Sequence, residues 1–140
     1  MTPFNSTPLI CVAFGSAAES ESFAERISDF SESSALVDNE VSSAEFIHAI
    51  TKHQSAWLII DDEMKSNSTM KALAKRATAT HEYFRCMVVG EIDEKAWPTN
   101  TIFLSSDALS TAVIDRLRNE SHVLRISISR NRHMRRLQRR

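Results

Sequence analysis

The sequence predicts an α/β domain built on a doubly wound, five-stranded parallel sheet of order 2-1-3-4-5, followed by a helical, arginine-rich extension. Three observations carry this. Short apolar runs alternate with amphipathic segments along the 140 residues, the pattern of a parallel sheet flanked by helices. Hydrophobic residues make up 42% of the chain and charged residues 25%, a globular composition in a chain long enough to bury a core without metal or disulfide staples. Charge is split along the chain. Residues 1–115 hold 8 Lys/Arg and 17 Asp/Glu, a net of −9, whereas residues 116–140 hold nine Arg and one acid, Glu120, a net of +8. An acidic folded body over residues 1–120 and a basic, partner-seeking extension over residues 121–140 are therefore expected.

The first apolar run, Pro8–Phe14, ends at Gly15 and reads as a strand; Ser16 can cap a helix in which Phe23, Ile27 and Phe30 recur at helical spacing. A short second run, Ala35–Val37, precedes Asp38-Asn39. Ser42 or Ser43 then opens a helix whose buried stripe is Ala44, Phe46, Ile47 and Ile50. Ala56–Ile60 is the third strand, closed by Asp61-Asp62-Glu63. Thr69 to Thr80 reads as a helix with Met70, Leu73, Ala74 and Ala77 inward. Cys86–Val89 and Thr101–Leu104 are the fourth and fifth strands. The segment between them, with Pro98 and few apolar residues, predicts a loop or one helical turn. From Asp107 a long amphipathic segment begins, with Leu109, Val113, Ile114 and Leu117 at helical positions.

Several function classes find no support in these residues. Only two glycines occur, too few for a phosphate-cradling loop. Cys11 and Cys86 lie inside apolar runs and read as reduced core residues. The histidines His48, His53, His81, His122 and His133 are scattered and read as surface residues; His48 and His53, five apart in one predicted helix, do not share a face as zinc ligands would. Ser16, Ser105 and Ser106 lie near the carboxyl edge of the predicted sheet, but no strand-turn-helix elbow surrounds them, and helix capping is the expected role. No run is long enough to span a membrane and no basic stretch precedes an apolar one at the N-terminus, so a cytoplasmic protein without membrane contact is expected.

In a sheet of order 2-1-3-4-5, chemistry gathers at the carboxyl ends of strands 1 and 3, where the winding reverses. The third strand there delivers Ser55-Ala56-Trp57-Leu58-Ile59-Ile60-Asp61. This resembles the receiver domains of bacterial response regulators, whose fold is flavodoxin-like (CheY-like), over roughly residues 8–120. On that resemblance Asp61 stands at the phosphoacceptor position, with Asp62 and Glu63 as acidic neighbours. The family's other parts are replaced. An acidic pair that holds Mg²⁺ is expected after the first strand, where Ala13-Phe14-Gly15 stands. Gly90 stands where a hydroxyl residue ends the fourth strand, and Ser106 where a lysine follows the fifth. Phe103 matches the aromatic switch residue, although core packing explains it equally. Without those cationic and hydroxyl donors, a phosphoryl group on Asp61 meets chiefly repulsion. The resemblance thus implies a degenerate, or pseudo-, receiver, non-enzymatic and without a cofactor, Mg²⁺ entering only if Asp61 is phosphorylated. Met87-Val88-Val89-Gly90-Glu91 with Ala96-Trp97-Pro98 also looks like the fourth-strand region of receiver-like domains heading flagellar and biofilm transcription activators.

The extension is the second chemical signal. Arg130, Arg132, Arg135, Arg136, Arg139 and Arg140 crowd the C-terminus, with Arg125 just before them. A helix pairing with a partner or a second copy competes with an arginine arm on nucleic-acid phosphates. Ile126-Ser127-Ile128-Ser129 alternates like a strand and argues against one unbroken helix. The expected function is a signalling module that transmits by protein contact or homodimerisation, through the face around Phe103, Ser106 and Leu109. An atypical phosphoacceptor using Asp61 and a nucleic-acid binder using the tail are the alternatives.

Overall fold

The computed structural model of the chain describes residues 7–35, 43–64, 67–90, 97–105 and 107–138. Within them the elements run β1 (Leu9–Ala13), α1 (Ala17–Arg26), β2 (Glu32–Ala35), α2 (Ser43–Thr51), β3 (Ala56–Ile60), α3 (Ser68–Thr80), β4 (Phe84–Val89), β5 (Ile102–Leu104) and α4 (Thr111–Gln138). The strands form one parallel sheet ordered β2-β1-β3-β4-β5. All five residues of β1 and of β3 are buried. That is why LICVA and AWLII read as unbroken apolar runs: a parallel strand covered on both faces has no solvent side.

Side chains alternate across the sheet and build two cores. Leu9, Cys11, Leu58, Ile60, Cys86 and Val88 face α2 and α3, which contribute Phe46, Ile50, Met70 and Leu73. Ile10, Val12, Trp57, Ile59, Met87 and Val89 face α1 and α4, which contribute Phe23, Val113, Leu117, Leu124 and Ile128. Local signals place the helices. Ser16 accepts from the Glu19 N–H at the start of α1 and Asn67 from the Met70 N–H at the start of α3, each satisfying a donor that the first helical turn leaves open. Met70, Leu73, Ala74 and Ala77 are all buried, as their spacing predicts. Both cysteines are buried free thiols; burial pushes Cys11 up to about 12 and raises Cys86 as well.

Two elements differ from the sequence reading. The second strand is Glu32–Ala35, three residues earlier than the Ala35–Val37 expected, and Val37 lies outside the described residues. As an edge strand it is held by its ladder to β1 and by the Glu32 N–H donating to the Pro8 carbonyl at 2.9 Å, so its ESSA sequence carries no apolar pattern to find. The second correction concerns Ile126–Ser129, which is helical. α4 continues unbroken for 28 residues across position 120. The two isoleucines point opposite ways: Ile128 is 4% exposed, in the α1/α4 core, and Ile126 is 46% exposed. Residues two apart diverge on a helix and align only on a strand; burial of Leu117, Leu124 and Ile128 at helical spacing decides the matter. Among the described residues no helix is long and apolar enough to cross a membrane.

Candidate functional site

Parallel strands all end on one edge, so the loops after β1, β3, β4 and β5 converge there. They line an open cavity of about 500 Å³, bounded by Glu19, Asp61, Asp62, Glu63, Gly90 and Asp107, with Val89, Ser105 and Ala108 completing it. Asp61, at the end of β3, is 7% exposed. Its two carboxylate oxygens share the Gly15 N–H, at 3.1 and 3.2 Å, and Oδ1 also accepts from the Met64 N–H at 3.2 Å. One buried carboxylate thus ties the β1–α1 loop to the β3–α3 loop. Such charge-assisted bonds to backbone donors are stronger than neutral ones.

The two glycines of the chain are the places where this edge closes up. Gly90 has φ of +139°, a conformation side chains rarely adopt, and a Cβ there would also lie 3.1 Å from the Asp62 Cα, inside van der Waals contact. At Gly15 a Cβ would fall on the Glu63 side chain. Asp62 and Glu63 therefore fold back over Gly90 and Gly15, crowding the cavity around Asp61.

The sequence-predicted residues are only partly brought together. Asp61, Asp62, Glu63 and Gly90 share the cavity; Phe103 does not line it but is half-buried and packs against the α2/α3 core. Ser106 lies outside the described residues. Glu19 and Asp107 were missed in the sequence, although both follow strands within a few residues, the one signal that would have found them. The receiver resemblance brings in Mg²⁺ only if Asp61 is phosphorylated, and the described residues can be read for ligands to it. No three of the described His, Cys, Asp or Glu side chains are placed to hold a metal ion, and Asp61 accepts from two backbone N–H groups, Gly15 and Met64.

The opposite, amino edge holds the polar network that the sequence did not reveal. His53, expected at the surface, is 6% exposed and lies beyond the end of α2. Its Nδ1 is 2.8 Å from the Thr7 carbonyl and its Nε2 3.3 Å from a Glu32 carboxylate oxygen. The His81 Nδ1 accepts from the Tyr83 N–H at 3.0 Å, leaving its Nε2 to donate to the His53 carbonyl at 2.9 Å; His81 is accordingly the neutral Nε2–H tautomer. These histidines were placed at the surface because nothing local in the sequence marks a contact between residues 28 apart.

The end of α4 settles on the same edge. Arg135 contacts both Glu82 carboxylate oxygens at 3.3 Å, Asn131 donates to the Tyr83 hydroxyl at 3.1 Å, and Arg132 donates to the Gln54 amide oxygen at 3.0 Å once that amide is oriented to accept. Arg130 and Arg136 are exposed, while Arg139 and Arg140 lie outside the described residues. The predicted arginines are therefore not one surface: Arg132 and Arg135 turn to the body and Arg130 turns away.

No protein-family model matches the chain, and no curated protein matches it. Two crystal structures of proteins named for pilus assembly do. One, a CpaE protein from Burkholderia thailandensis E264, has TM-score 0.55 at 15% identity, covering 82% of this chain and 98% of that one. The other, from Burkholderia pseudomallei K96243, has TM-score 0.57 at 14% identity, covering 87% and 95%. At such identity the likeness speaks for the fold alone, an α/β, flavodoxin-like architecture.

Proposed function

We propose that this chain is a receiver-like regulatory module that works by protein contact, without aspartyl phosphorylation, catalysis or a cofactor. The observation that carries this reading is the state of Asp61. A phosphoacceptor carboxylate needs an oxygen free to attack and cationic donors to offset the charge that arrives. Both Asp61 oxygens are instead tied to the Gly15 and Met64 N–H groups, and the described charged side chains that line the cavity with it, Glu19, Asp62, Glu63 and Asp107, are all acids. It serves the fold by joining two loops. The names of the two structural neighbours make a protein of an assembly machine the first kind of partner to test.

The test is an NMR titration of the chain with Mg²⁺ and beryllofluoride, a phosphoryl mimic, beside Asp61→Asn and Asp61→Ala controls. A flat response is expected. Shifts centred on Asp61, Gly90 and Phe103 that both controls lose would restore the phosphoacceptor alternative. One observation keeps the nucleic-acid reading second: Arg125, Arg130 and Arg136 are exposed without a partner among the described residues. Duplex binding that falls steeply with salt and vanishes on removing residues 130–140 would favour it.

A further inference from the structure

The outward side of α4 carries an apolar stripe that none of the described residues covers. Val123, Ile126, Met134 and Leu137 are 56%, 46%, 49% and 50% exposed. They lie on the far side of the helix from Leu117, Leu124 and Ile128, which pack on the sheet. Continued toward the start of α4, the same side presents Ala112, Asp115 and Asn119, with Arg130 inside the stripe, all exposed.

The eight positions recur at intervals of 3, 4, 4, 3, 4, 4 and 3 residues. Two properties follow from that series. It repeats every eleven residues, close to the true helical period, so the stripe stays on one side of a nearly straight helix for about 38 Å at 1.5 Å per residue. It also reads the same in both directions about a point between Leu124 and Arg125, so an inverted copy of the face falls in register with it.

We propose that this face of α4 docks a second copy of the chain, antiparallel, in a closed two-fold pair. The proposal names the contact surface and the partner for the protein-contact reading above, on which it rests. With the axis between positions 124 and 125, Val123 meets the partner's Ile126 and Ile126 meets the partner's Val123 at the centre. Arg130 then faces the partner's Asn119 and reaches the partner's Asp115 one turn away, and Leu137 meets the partner's Ala112. Each of these contacts occurs twice, as a two-fold interface requires.

Charge selects this orientation. Residues 116–140 carry nine Arg and one Glu, net +8; a parallel pair sets the whole of two such segments side by side and Arg130 against its own copy, whereas the antiparallel pair overlaps them only over residues 116–133. The antiparallel pair brings each basic end toward the start of the partner's α4, beside Asp107 and the carboxylates of the acidic cavity. Arg130 and Asp115 have no partner among the described residues of their own chain. Arg116, on the edge of the stripe, is held by Glu120 at 2.9 Å and does not compete for Asp115.

Cross-linking of the full chain tests the orientation. Ala112→Cys and Leu137→Cys chains are mixed under mild oxidation; Cys11 and Cys86 are buried with raised thiol pKa values and stay inert. The antiparallel pair yields a disulfide only in the mixture. Disulfides within either variant alone overturn it, because only a parallel pair brings like positions together. Sedimentation then reads the charge pairing. Asp115→Arg and Arg130→Asp are each expected to weaken the dimer by roughly threefold to tenfold, and the double variant to restore it.

A chain that stays monomeric at all concentrations, or a salt-sensitive ladder of larger species, also sinks the proposal. The side chains changed are all on the exposed face, so unchanged circular dichroism separates lost pairing from lost folding. The beryllofluoride titration is independent of association, so a failed dimer and a functional Asp61 are told apart.

Discussion

The two ends of the sheet solve the same problem in opposite ways. Both gather polar side chains from distant loops. At the amino edge each is met by an unlike group: Glu32 by His53, Glu82 by Arg135, Arg132 by the Gln54 amide, the His53 carbonyl by His81. At the carboxyl edge, Glu19, Asp61, Asp62, Glu63 and Asp107 surround one cavity, and Asp61 is held by backbone N–H groups. A matched edge locks elements together. Like charge among the described residues of an edge gives a field that favours cations. Among the described residues, the amino edge is where this fold is fastened and the carboxyl edge is where like charge is gathered.

The largest effect should come from the fastened end. Ile128→Ala removes a side chain 4% exposed beneath the last turns of α4 and is expected to cost about 3 kcal/mol in urea denaturation. A loss under about 1 kcal/mol would mean that the end of α4 is an appendage rather than part of the core. Next is Asp61→Ala, which leaves the Gly15 and Met64 N–H groups without an acceptor; about 2 kcal/mol should be lost, and about half of that in Asp61→Asn, which keeps one oxygen. A gain in stability for Asp61→Ala would reverse the comparison, because repulsion among the carboxylates would then outweigh the two loop ties.

A smaller loss, about 1–2 kcal/mol, is expected for Gly90→Ala, from the positive φ and the Asp62 backbone 3.1 Å from the added Cβ. A Tm unchanged from the parent would show that the loop after β4 can move away from Asp62. Least of all is Arg135→Ala. Both Arg135 and Glu82 are 59% exposed, so only a few tenths of a kcal/mol should go, less again at high salt. A loss above about 1 kcal/mol would make that pair, and not the apolar contacts of Ile128, the fastening of the tail.

How legible each part was depends on the range of the forces that shape it. β3 and α3 were readable because a strand buried on both faces must be apolar throughout and a helix on a sheet must repeat its apolar residues at helical spacing. β2 was misplaced because an edge strand is held by backbone pairing to which any side chain is compatible. Ile126–Ser129 was misread because short windows do not separate a strand's alternation from a helix whose two sides are both apolar.

Asp61 was identifiable as the residue a buried strand presents at the winding reversal. Its hydrogen bonds to Gly15 and Met64 were not, since a backbone N–H leaves no mark in a sequence. Legible from the residues alone were the parallel α/β class, the apolar faces, the carboxylate at the end of β3 and the uneven distribution of charge between residues 1–115 and 116–140. These follow from local periodicity and composition. Packing across the chain made His53 and His81 structural, kept α4 unbroken, set the exposed Arg132 and Arg135 against Gln54 and Glu82, and closed Asp62 and Glu63 over the two glycines. Each depends on groups brought together across the chain, by packing forces that no local pattern encodes.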